Sequence, residues 1–399
     1  MMSSTQIYFP ASRQAGLDRL AAFAPRAGAT YARTRNHVLQ GHPNVSRLSP
    51  YIRYRLITEE EVLSHMMGTN PQGAAAKFAD EVLWRSYWKG FLEMRPSLLA
   101  SYHDGVRKGL NRIASEQGLR QRWEDACKGN TGIAAFDDWA RELCETGYLH
   151  NHARMWFASI WIFTLALPWE LGADFFLRHL IDGDMASNTL SWRWVAGLHT
   201  PGKTYLATGD NIAANTEGRY HPEGLATTAF PVQGLPNPPA GPCPQGGRWD
   251  KDRPTALLVH EDDLCPDFLM DAGLRPVQTA FVLAPEKRSP LTVAPAIGTF
   301  IRDSMADCAA RLGAQLGSLH GPVSGDGAVD ALASWAISSS AVQVVTPFAP
   351  RGPVADILDE LDERLSAENI RLIRAMRDYD GRIWPQASKG FFAFRANVT

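Results

Sequence analysis

Cysteine is scarce and scattered. The five in 399 residues, Cys127, Cys144, Cys243, Cys265 and Cys308, form no CxxC pair and stand at no Cys/His ligand spacing. That argues against a zinc or iron–sulfur centre, so no metal is expected, and against a disulfide framework; a reducing cytoplasm fits this usage. The opening stretch MMSSTQIYFPASRQ has no basic segment followed by an apolar core, so no signal peptide is visible. The apolar stretch from Met155 to Trp169 falls short of the roughly 20 residues that a membrane span requires and starts beside Arg154. It reads as a buried core helix, and no membrane partner is expected. Neither sign of charge dominates: residues 1–220 hold 24 Lys+Arg against 21 Asp+Glu, and residues 221–399 hold 16 against 21. A polyanion would meet the first part, but this balance is no nucleic-acid signature by itself. GPVSGDGAVD lacks both the Lys-Ser/Thr of a P-loop and a GxGxxG pattern, which leaves a surface turn.

Tryptophan is plentiful. Twelve indoles call for a reason, because each is costly unless its ring packs and its N–H finds a partner. The length suits two domains. Eight prolines and several glycines between Pro222 and Pro254 cannot hold a helix or a central strand, which sets domains at 1–220 and 255–399 with a linker at 221–254. Upstream, apolar periodicity predicts helices over Thr58 to Met67, Ala74 to Met94, Asp137 to Thr146, Asn151 to Ala166 and Met185 to Ala196, an all-α first domain. Downstream, strand-like runs at Ala256 to His260, Thr279 to Leu283, Gln315 to Leu319, Val342 to Thr346 and Ile370 to Ile373 alternate with helical ones, including helices from Asp303, near Ala328 and from Val354. That alternation predicts a smaller α/β domain with a doubly wound, Rossmann-like parallel sheet.

The most informative stretch is HLIDGDMASNTLSWRW, residues 179–194. Asp184, Asn188 and Trp192 are spaced i, i+4, i+8, which stacks a carboxylate, an amide and an indole along one helical face. Spacing alone does not separate a functional stripe from a capped helix with core aromatics. The run LIDGD followed by Asn and WxW is similar to the flavin-cradling segment of the photolyase/cryptochrome family, and GYLHNHARM resembles that family's GWxHNRxRM. YARTRN at Tyr31 resembles YxxxRD, VSRLSPYI at Val45 resembles TSxLSPYL, and EVLWRSYW at Glu81 resembles ELxWREFY, all in the family's order over about residues 31 to 212.

The resemblance implies FAD as cofactor, with Tyr31, Ser46, Leu48, Ser49 and Arg85 around its diphosphate and ribose. Hydroxyls and a guanidinium suit a pyrophosphate through charge-assisted hydrogen bonds. Phe78, Glu81, Trp84 and Arg85 share one helical face, and Phe78 would pack near the flavin. Arg154 and Asp182 would form an ion pair flanking the ring, Asp184 would accept from a ring N–H, and Asn188 would sit against the ring edge. An amide at Asn188 is what repair members carry, whereas many signalling relatives carry Asp or Cys. Glu81 would bond and help protonate a flipped-out cyclobutane pyrimidine dimer, with Trp84 and Trp194 clamping it and Asn151 and Met155 completing the wall. The implied activity is light-driven repair of damaged DNA by a monomer, with a cryptochrome-like photoreceptor as the alternative.

Departures from the family pattern are local, with one exception. Of the three relay tryptophans, Trp192 nearest the flavin and Trp169 behind it have counterparts; the third does not, and Trp123, Trp156 and Trp161 read as core indoles that could substitute. Ala126, His152 and Val45 stand where the family has Trp, Arg and Thr. The exception is order: the family usually begins with an α/β antenna domain, whereas here the α/β pattern follows the flavin motifs, a permuted arrangement. A second chromophore, folate or deazaflavin, is what the family suggests, though no residue here compels either.

Overall fold

The computed structural model describes residues 8–398. Residues 1–7, the start of the stretch in which no signal peptide is expected, lie outside the described residues. Three short helices, α1 (Arg13–Phe23), α2 (Ala29–Thr34) and α3 (Ser49–Arg53), lead into α4 (Glu59–Thr69). Thr58 and Glu61 form a capping box at the start of α4, and the three glutamates of its first turn suit the positive end of the helix dipole. Then follow α5 (Ala76–Glu93), α6 (Ser97–Ser115), α7 (Gln117–Lys128), α8 (Ala134–Thr146) and α9 (Asn151–Ser159). The apolar stretch expected as one helix breaks here: α9 passes into a π turn, Ile160–Thr164, and Pro168 starts α10 (Trp169–His179). After α11 (Met185–Val195) and α12 (Gly209–Asn215) the chain runs without regular structure to residue 254.

The second half holds β1 (Thr255–His260), α13 (Asp267–Asp271), β2 (Gln278–Val282), α14 (Pro295–Leu312), β3 (Ser318–Val323), α15 (Ala328–Ser338), β4 (Gln343–Pro347), α16 (Pro353–Ala367) and β5 (Arg371–Ala375). All pairings are parallel, in the order β3-β2-β1-β4-β5. Two expectations shift. The third strand starts at Ser318 rather than Gln315, because residues 313–316 form a 3-10 turn. The helix expected from Asp303 begins at Pro295, whose fixed φ and missing N–H suit the first helical position.

Three apolar cores hold these layers. One joins α5, α6 and α8 to α11. The second joins α1, α3 and α4 to one face of the sheet with α13 and α14, and the third packs α15 and α16 on the other face. The helical half is therefore continuous with one sheet face through buried side chains. Beyond β5, α17 (Asp378–Ile383) and α18 (Phe391–Val398) leave the sheet and pack on α5. There the Tyr379 and Ser86 hydroxyls bond at 3.0 Å, and a Cβ on Gly90 would lie 2.7 Å from the Trp384 carbonyl oxygen. The proline-rich stretch is docked: Gly241 N–H donates to Met94 O, Arg95 to Pro238 O, and Gly247 N–H to Arg374 O. The last bond engages the edge strand β5, which blunts an open sheet edge.

Candidate functional site

The turn between α10 and α11 holds two of the expected residues, Asp182 and Asp184, and brings Arg154 and Arg85 against them. Asp184 caps α11 by accepting from Ser187 N–H at 2.7 Å, which satisfies one orphan donor of the helix start. Its carboxylate lies 3.8 Å from Arg85 and 4.0 Å from Arg53. Burial alone would raise its pKa, but Lys89, Arg85 and Arg53 together hold it far below the usual carboxylate range. Asp182 is buried and accepts from Arg154 at 2.8 Å, while Arg154 Nε donates to Leu149 O at 2.8 Å. Burial again opposes ionisation of Asp182, and Arg154, helped by Ser49 and Arg85, outweighs it. One helical turn beyond Asp184, Asn188 is buried and donates to Ala173 O at 2.8 Å.

Farther along the same helix, Trp192 meets Phe176 at 5.1 Å and Trp161 edge-on at 6.3 Å. Gly172 makes that approach possible, since a Cβ there would lie 2.3 Å from the Trp192 ring and 2.9 Å from Trp161 Nε1. Trp169 opens α10 and packs 6.0 Å from Tyr102.

Helix α5 supplies the second wall. Phe78 is buried against Tyr31 at 5.3 Å and Phe23 at 5.5 Å. Glu81, half-buried, is ion-paired with Arg35; burial raises its pKa and Arg35 only partly offsets this. Trp84 stacks face to face on Phe391 of α18 at 3.6 Å and 7°, and Trp194 stacks on Tyr205 at 5.7 Å. Each indole expected to clamp a lesion thus has an aromatic partner within the chain. Asn151 is exposed at the start of α9, and Met155 is half-buried one turn on. Ser46 Oγ accepts weakly from Leu48 N–H at 3.4 Å, Leu48 is buried, and Ser49 starts α3.

Several buried polar atoms here have no hydrogen-bond partner: Arg85 Nη1, Arg47 Nε, Asp182 Oδ1 and Ser187 Oγ. Stranded guanidinium donors and a free carboxylate oxygen are what a diphosphate and a heteroaromatic N–H would satisfy, so the donor set fits a flavin dinucleotide. Arg47 was not among the expected site residues, although it lies between Ser46 and Leu48 in the quoted motif. Its φ of 52° is left-handed. Arg35, the partner of Glu81, likewise lies inside YARTRN.

Residues 78–220 match the model of the FAD binding domain of DNA photolyase. The chain is 29% identical over 204 residues to the deoxyribodipyrimidine photo-lyase of Salmonella typhimurium, covering 50% of this chain and 42% of that protein. It is 34% identical over 203 residues to that of Streptomyces griseus, covering 48% and 43%. Among solved structures, a Synechocystis cryptochrome is 22% identical, covering 53% of this chain and 44% of its own, with a TM-score of 0.46. The matched part spans less than half the length of these curated relatives. Residues 78–220 are an FAD-binding domain of the photolyase type, and it is through this segment that the chain is similar to the photolyase/cryptochrome family.

Proposed function

We propose that this protein repairs cyclobutane pyrimidine dimers in DNA by light-driven electron donation from reduced FAD, with residues 1–220 as the catalytic domain and 255–399 as an α/β antenna-type domain in permuted order. The observation that carries this reading is the pairing of Arg154 with the buried Asp182 beside the Asp184 cap and Asn188, next to guanidinium atoms that lack hydrogen-bond partners. The bound flavin would supply the electron that splits the dimer and take it back afterwards. The Arg154–Asp182 pair would set a fixed dipole beside it. Asp184, held ionised by three cations, would accept from a ring N–H, and Asn188 would offer a neutral amide. Arg85 and Arg47, with Ser46 and Ser49, would bind the diphosphate.

Glu81 suits a proton-donating role, because burial favours its protonated form. The dimer has to leave the duplex to approach the flavin, and a lesion that is poorly stacked lowers the cost of flipping. Trp84, Trp194, Asn151 and Met155 would line its cavity.

The photoreceptor reading is favoured by two contacts: Glu81 is tied to Arg35, and Trp84 is stacked on Phe391. The test is repair of a thymine-dimer oligonucleotide by the chemically reduced protein under blue light, with a dark control and a (6-4) substrate. Light-dependent loss of the cyclobutane dimer is expected. No repair by protein that holds reducible FAD would move the assignment to a photoreceptor.

A further inference from the structure

The strand order reverses between β1 and β4, and doubly wound sheets take ligands in the crevice at the carboxyl ends of such strands. Here side chains from the helical half fill it. Leaving β1, the residues Glu261, Asp262 and Asp263 are all buried. Arg53, the last residue of α3, sends Nη1 to Asp262 Oδ1 at 2.5 Å and Nε to the Gly183 carbonyl at 2.8 Å. It also lies 3.8 Å from Glu261 and 4.0 Å from Asp184. Arg55 reaches Asp263 at 3.2 Å, Arg288 reaches Glu261 at 2.8 Å, and His260 bonds the Pro347 carbonyl at 2.8 Å, linking β1 to β4.

We propose that Arg53 is a positioning residue for the flavin site: anchored by Asp262 of the sheet, it fixes the Gly183–Asp184 turn, so that the crevice serves as a strut between the sheet and the flavin. This inference rests on the reading that Asp184 faces the flavin ring. A guanidinium suits the task because its Nε and Nη donors lie in one plane, so a single residue bridges a carbonyl and a carboxylate in fixed geometry. Both partners are buried, and a bond to an ionised group gains strength where water is excluded. The strut is also electrostatic. Asp184 is faced by Lys89 and Arg85 from α5, by Arg53 from α3, and by the Ser187 N–H of its own helix. Asp262 offsets part of the charge that Arg53 brings there.

The two ends of the strut therefore act in opposite directions. Arg53→Gln removes a cation from Asp184, so the carboxylate takes a proton at higher pH. Asp262→Asn leaves Arg53 charged and less compensated, which favours the ionised form.

The experiment follows the fluorescence of FAD released from the holoprotein as pH falls, with far-UV circular dichroism recorded on the same samples. Arg53→Gln should release flavin about one pH unit above the wild type while its helicity is unchanged, and should weaken FAD binding at neutral pH on the order of tenfold. Asp262→Asn should release no earlier than the wild type. The double variant Arg53→Gln/Asp262→Asn keeps the charge balance if either single variant folds poorly, and it should retain the early release. Wild-type release and affinity in folded Arg53→Gln or in the double variant would overturn the positioning role. A wild-type protein that holds no FAD would instead overturn the flavin reading on which the role rests.

Discussion

Replacing Arg55 with glycine sets two effects against each other, and the structure says which wins. Arg55 has φ 50°, a left-handed conformation that costs a non-glycine residue roughly 1–2 kcal/mol. Glycine would remove that strain, although its freer unfolded chain takes back part of the gain. Against this stands the guanidinium, fully buried and paired with Glu59 at 3.3 Å, Asp263 at 3.2 Å and Asp380 at 2.7 Å. Two of the three carboxylates keep a cation in the variant: Lys89 lies 3.5 Å from Glu59, and Arg377 lies 2.7 Å from Asp263. Asp380 does not. Its Oδ1 loses Arg55, and its Oδ2 has no hydrogen-bond partner to begin with.

Stranding one buried charge costs about 3–5 kcal/mol, so Arg55→Gly should lose about 3 kcal/mol at neutral pH despite the relief of strain. Acid should narrow the gap. Burial and the neighbouring Glu59 already raise the pKa of Asp380, so it can escape the penalty by taking a proton. Glu59 is held down from 4.5 to about 2 and Asp263 from 3.8 to about 2. Depressed carboxylates contribute stability that is present above their ordinary values and lost as pH falls through about 2. Without Arg55 part of that contribution is gone, so the variant should lose less than the wild type over this acid range. Urea unfolding followed by circular dichroism across pH measures both effects, and adding Asp380→Asn to Arg55→Gly should recover more than half of the loss. An Arg55→Gly protein as stable as the wild type at neutral pH would refute the reasoning, because strain would then outweigh the ion pairs.

Glu93 is buried and accepts from Arg351 N–H at 2.6 Å; burial pushes it up from 4.5 to about 7. The folded state therefore binds this proton more tightly than the unfolded one, and stability should fall as pH rises from about 4.5 through 7, by roughly 3 kcal/mol in all. Glu93→Gln should abolish that slope in the thermal midpoint, and an unchanged slope would assign it to another group. Asp182→Asn should weaken FAD binding on the order of tenfold in a fluorescence titration. The loss is about 1–2 kcal/mol rather than the full cost of a broken buried pair, because Arg154 is 23% exposed and can turn to water. Unchanged affinity would remove the pair from the flavin site.

Local features were legible in the amino-acid order. Helices α4, α5, α8 and α11 follow from apolar periodicity and from caps such as Thr58 and Asp184, because a helix satisfies its backbone within four residues. Asp184, Asn188 and Trp192 share a stripe that can be drawn from spacing alone, and the same short-range logic placed Phe78, Glu81, Trp84 and Arg85 on one helix. Where a boundary depended on packing, as at β3 and at the start of α14, the pattern misled by three to eight residues. Only the tertiary structure decided the partners. Arg53 and Asp262 are separated by 209 residues, Arg55 and Asp263 by 208, and Arg55 and Asp380 by 325. Nothing in VSRLSPYIRYR marks its arginines as struts rather than surface charges. Helical periodicity is written within a few turns of chain, whereas the burial that makes a charge pair strong exists only once distant segments have excluded water from between them.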